Sequence, residues 1–161
     1  MRLGLLVGFL LGCGNIYCCT CVQTGKFDLA NEIKGTDVIL IGKVIDSTLF
    51  TVNSDDSLLP QRMQVTLVKY RIAELETYKG RISNDTIEVV TGLGTGGDCG
   101  YNFEIGARYI VFANYRVPYN TFGKKVRPFL STDTCMHNEI ETPKAVTQLE
   151  KYLKKRPHKK K

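Results

Sequence analysis

Apolar positions along this chain follow two spacings. Val38 to Ile45 is a β-branched run bounded by Asp37 and Asp46, which predicts a buried strand. Ahead of it Phe27, Ala30 and Ile33 recur at helical spacing and predict a helix over Phe27 to Lys34. Thr51 to Pro60 is polar and turn-rich and reads as an exposed loop. Met63, Val65 and Leu67 alternate with Gln64 and Thr66, so a second strand runs on toward Arg71. Leu67-Val68 breaks that alternation and is the expected place for a bulge. Tyr78-Lys79-Gly80 closes the segment. Thr86 to Thr91 and Arg108 to Tyr115 predict a third and a fourth strand. Val126 to Thr132, after a turn over Tyr119 to Lys125, predicts a fifth. Ala145, Val146, Leu149, Tyr152 and Leu153 return to helical spacing behind Thr142-Pro143, an N-cap followed by a first-turn proline. No internal repeat is present. Five short strands with a helix near each end predict a mainly β fold, a small barrel with flanking helices.

The start of the chain has a different character. Arg2 precedes an apolar stretch from Leu3 to Leu11, followed by small and polar residues. This reads as a secretory signal, and it is shorter than the roughly 20 apolar residues of a membrane-spanning helix. The expected organisation is a signal peptide over residues 1–18, one domain over 19–153 and a basic tail over 154–161. Cleavage after Cys18 leaves Cys19 as the first residue of a secreted chain. Cleavage after Gly14 is a competitor and would leave Asn15-Ile16-Tyr17-Cys18 ahead of it. Leu10-Leu11-Gly12-Cys13 is also similar to a bacterial lipoprotein signal, which would lipidate Cys13.

Charge narrows the partners. The formal net charge is +6, and Lys154, Lys155, Arg156, Lys159, Lys160 and Lys161 supply six positive charges. Outside them basic and acidic residues balance at 16 each. The body has no general basic surface, so nucleic acid is not an expected partner. The tail reads as solvated, with retention on acidic glycans or anionic surfaces as the functional alternative.

The cysteines carry the candidate chemistry. Of six, Cys19, Cys21, Cys99 and Cys135 remain after cleavage at Cys18. An even number in an oxidising compartment predicts disulfides, with three possible connectivities. The competing reading is a soft-metal site completed by His137. A cysteine at the N-terminus would also offer an α-amine and a carbonyl that together can chelate a metal. The glycine-rich stretch from Gly92 to Gly97 lacks the Gly-Lys-Ser/Thr ending of a phosphate loop and reads as a tight connection needing positive φ. No serine or cysteine has a recognisable base and orienting partner, so no enzyme and no cofactor are expected. Asn84-Asp85-Thr86 fits a glycosylation sequon.

Three pieces, in order and at compatible spacing, carry a family resemblance. They are Cys19-Thr20-Cys21-Val22 behind a leader, Asp37 to Val44, and the set Asp98-Cys99-Gly100-Tyr101, Tyr109 to Ala113 and Thr132-Asp133-Thr134-Cys135. Together they resemble the N-terminal, netrin-like domain of the tissue inhibitors of metalloproteinases, in a short single-domain form. The resemblance implies a five-stranded oligonucleotide/oligosaccharide-binding (OB-fold) barrel with flanking helices, and disulfides pairing Cys19 with Cys99 and Cys21 with Cys135. It also implies inhibition of a zinc metalloproteinase. The Cys19 amine and carbonyl would ligate the protease zinc at the open position of a catalytic site. Thr20 would enter the specificity pocket, flanked by Cys21, Val22, Gly97 and Asp98. The alternative expectation is a non-inhibitory module of the same fold that binds an extracellular protein or an acidic glycan. A monomer without a membrane span is expected in either case.

Overall fold

The structure, a computed structural model, describes residues 28–54, 63–95, 98–116 and 128–154. The first helix, α1 (Leu29–Gly35), starts at Asp28, whose carboxylate accepts from the Ala30 N–H at 2.9 Å. That is ordinary N-capping of an otherwise orphan donor. Leu29 and Ile33 form its buried face.

The far end of α1 is closed by a strand residue. The Lys79 ammonium donates to the carbonyls of Ile33 at 2.7 Å and Lys34 at 3.2 Å, and to that of Thr36. Those carbonyls carry the negative end of the helix and lack intrahelical partners. Lys79→Met keeps most of the stem and removes the cation. It should cost about 1–2 kcal/mol in urea unfolding; a loss near zero would mean water replaces the ammonium freely.

Six strands follow: β1 (Val38–Ser54), β2 (Met63–Lys79), β3 (Thr86–Thr91), β4 (Arg108–Arg116), β5 (Phe129–Ser131) and β6 (Glu139–Ile140). They form one mixed sheet in the order β1-β2-β3-β5-β4-β6, and β1 also pairs with β4. All pairings are antiparallel except β3–β5. Helix α2 (Pro143–Lys154) ends the described chain.

The five-stranded netrin-like barrel is therefore corrected. Five strands are joined edge to edge in a ring, but the sheet is mixed and has a sixth strand. One side of the ring is held only by Val89↔Leu130 and Val90↔Ser131. β4 accompanies β1 only from Val38↔Ala113 to Lys43↔Arg108, after which β1 runs on with β2. Beyond Val68↔Thr91, where β3 ends, β1 and β2 continue as a two-stranded ribbon to Ser54↔Met63. No disulfide joins two described residues. Cys99 and Cys135 are each disulfide-bonded, and Cys19 and Cys21, the partners that the resemblance implies, lie outside the described residues. With this fold, the kinship drawn from the three sequence pieces is withdrawn.

Two apolar layers flank the sheet, and alternation along β1 feeds both. Val38, Leu40 and Val44 join Val68, Tyr70, Ile72, Val89, Phe103, Tyr109, Val111 and Leu130 inside the ring. Ile39 and Ile41 join Ile110 and Phe112 on the other face, under Leu29 and Ile33 of α1 and Ala145 and Leu149 of α2. A strand buried on both faces reads as a continuous apolar run, which is why Val38 to Ile45 stood out.

The bulge expected at Leu67-Val68 is absent. The β1–β2 ladder is regular from Asp46↔Arg71 to Ser54↔Met63, and its shifts lie between Ile39 and Asp46. Leu67 pairs with Phe50 on the outer face while Val68 turns into the core, so adjacent apolar residues serve opposite faces. The irregular stretch includes Glu74, which has φ +54. Arg108 binds there, reaching the Glu74 carboxylate at 3.1 Å, Glu76 at 3.2 Å and Glu141 at 2.5 Å. The hydrogen bond to Glu141, ahead of the other influences, raises the Arg108 pKa above its ordinary value.

Candidate functional site

The expected wedge is only partly within the described residues. Cys19, Thr20, Cys21, Val22 and Gly97 lie outside them. Asp98 is exposed, and its carboxylate accepts from the N–H groups of Leu93 at 2.7 Å, Gly94 at 2.6 Å and Gly100 at 3.1 Å. It closes the glycine-rich turn. Positive φ is found there at Gly94, with φ +70, but not at Gly92.

The two cysteine-bearing loops are brought together. The Thr134 N–H donates to the Cys99 carbonyl at 2.8 Å. The Asp133 carboxylate accepts from the Cys135 N–H at 2.9 Å and pairs with Arg116 at 3.2 Å. Asn138 knits the loops to β4: its Oδ1 accepts from the Phe112 N–H at 2.9 Å, and its Nδ2 donates to Thr132 Oγ1 at 2.7 Å and to the Asp133 carbonyl at 3.1 Å. Thr132 Oγ1 in turn donates to the Phe112 carbonyl at 2.7 Å. These side chains replace the ladder that β4 lacks between β5 and β6. Tyr101 donates its hydroxyl to the Asn138 carbonyl at 3.1 Å, and burial, then Tyr109 and Glu139, push its pKa upward.

The soft-metal alternative finds no support in this arrangement. Among the described residues no group of three or more His, Cys, Asp or Glu side chains is placed to hold a metal ion. His137 packs edge-on against Phe112 and lies 3.2 Å from Glu139. With neither the inhibitor fold nor such a group, and with the Cys19 chelate outside the described residues, assignment as a zinc metalloproteinase inhibitor is withdrawn.

A different site stands out on the sheet. A groove of about 680 Å³ is lined by residues of β1, β2, β3, β4 and β5 and of the connection between β2 and β3. Val90, Ile87 and Leu130 supply apolar lining, and Phe50, Tyr115 and Phe129 bring three aromatic rings. Its polar groups are Lys69, Arg81, Ser83, Asn84, Thr86 and Glu88. This mixture of apolar lining and a few polar groups is typical of ligand sites. Lys69 is engaged, 3.0 Å from Glu88 and 5.6 Å from the centroid of the Phe50 ring. Arg81 has no hydrogen bond or ion pair among the described residues. Tyr115 is 53% exposed. Of these residues the sequence drew attention only to Asn84 and Thr86, as parts of a sequon. The others are spread over five strands and the connection between β2 and β3, and only the pairing of the sheet collects them.

Compared with known proteins, the chain matches no protein-family model, and no curated protein matches it. Among the described residues no helix is long and apolar enough to cross a membrane.

Proposed function

We propose that this chain is an exported, non-catalytic binding domain that takes an acidic glycan in the groove of Phe50, Tyr115, Phe129 and Arg81. The observation that carries the reading is a guanidinium with no partner among the described residues, in an open groove that three aromatic rings also line. An aromatic face is electronegative and receives the C–H face of a sugar ring. A planar guanidinium matches a uronate carboxylate with two parallel N–H donors. The Ser83 hydroxyl and the Asn84 amide offer partners for sugar hydroxyls. Export is supported by the leader and by disulfide-bonded Cys99 and Cys135, since such bonds persist in oxidising compartments.

Calorimetric titration with trigalacturonate and with a neutral trisaccharide tests this. The acidic sugar should bind and the neutral one bind far more weakly. Arg81→Gln and Phe129→Ala should each weaken binding by about tenfold or more while unfolding stays cooperative. Equal binding of both sugars, or two variants that bind like the parent, would sink the proposal.

A further inference from the structure

A second surface lies on α2, away from its packed face. Ala145 and Leu149 are buried, and Val146, Tyr152 and Leu153 pack beside them on the layer under the helices. Lys144, Lys151 and Lys154 are exposed. At about 100° per residue the three lysines fall within an arc of roughly 80°, centred opposite the buried side. They span about 15 Å along the axis. The acid at the rim is Glu150, 3.4 Å from the Lys154 ammonium. Immediately after the helix the sequence adds Lys155, Arg156, Lys159, Lys160 and Lys161.

We infer that this face of α2 docks on an anionic phospholipid bilayer. The charges lie on the exposed side of a helix, apart from the Arg81 groove, and the three on the helix are all lysines. Lysine is a compact point charge without the fork that selects a particular carboxylate. Several such charges on one helical face suit an extended, laterally mobile layer of negative headgroups.

Co-sedimentation of the chain with vesicles tests this without reference to the groove. Vesicles of phosphatidylcholine mixed with phosphatidylglycerol should pellet the protein at low salt and release it at high salt. Phosphatidylcholine alone should not. Combining Lys144→Gln, Lys151→Gln and Lys154→Gln should lower the partition coefficient by roughly a hundredfold. These exposed positions leave folding intact, which a thermal melt checks. Arg81→Gln and Phe129→Ala should bind vesicles like the parent, so failure of the glycan reading stays separate. Three results would overturn the inference. One is equal binding to neutral and anionic vesicles. Another is retention on an acidic glycan column with no vesicle binding. The third is a triple variant that binds like the parent while removal of residues 155–161 abolishes binding.

Discussion

Gly100→Ala should lower stability by about 3–4 kcal/mol, near the upper end of single-substitution effects. Gly100 is buried among backbone rather than among yielding side chains. A Cβ there would sit 2.3 Å from the Gly92 carbonyl carbon and oxygen and from the Gly94 nitrogen. Overpacking against a flexible side chain costs about 1–3 kcal/mol because a rotamer gives way. Here the glycine turn itself must move. The turn is held by three N–H donors on the Asp98 carboxylate, and the neighbouring Tyr101 N–H is tied to Thr91 Oγ1 at 2.8 Å. Urea unfolding checks the value directly, and a thermal melt should fall by about 10 °C. A loss under about 1 kcal/mol would mean that the glycine turn yields at little cost.

Asn138→Ala should cost about 3 kcal/mol, through polar groups left without partners rather than through packing. The Phe112 N–H, on a strand residue with 1% exposure, would lose its acceptor. Thr132 Oγ1 would lose its donor, and the Asp133 carbonyl would keep only the Met136 N–H at 3.2 Å. Asn138→Asp is the discriminating control. It keeps an oxygen for the Phe112 N–H but turns a carboxylate oxygen on Thr132 Oγ1 and the Asp133 carbonyl, so its loss should equal or exceed that of alanine. Equal stabilities of the alanine variant and the parent within about 0.5 kcal/mol would show that ordinary solvation replaces the network.

How legible this structure was in the sequence depends on how many faces each segment buries. The Val38 to Ile45 run, buried on both sides over much of its length, was plain, as were Thr86 to Thr91 and the amphipathic α2. The first strand was expected to end at Asp46, yet β1 continues to Ser54. Ser47 to Thr51 are largely exposed and carry little apolar signal, and pairing with β2 is what keeps them extended. The fifth strand was expected over Val126 to Thr132 and is Phe129–Ser131. β6 has two residues, too few for any periodicity to register. The inhibitor assignment failed for another reason. The resemblance placed Asp98 beside the inhibitory Thr20 and made Cys99 and Cys135 its disulfide anchors, whereas Asp98 holds a glycine turn together and the two cysteines sit where two loops meet. Motif order constrains which residues are present, not which partners their polar atoms find.

The parallel pairing of β3 with β5 has a consequence for the groove above it. That pairing consists of two residue pairs, the shortest join in the ring, while the β1–β2 hairpin is long and local in sequence. Local opening of a fold starts where the fewest bonds must break. Val90 on one strand of this seam and Leu130 on the other both line the groove. A guest lying across them would act as a stitch, lending the seam the cohesion its own backbone supplies so sparingly.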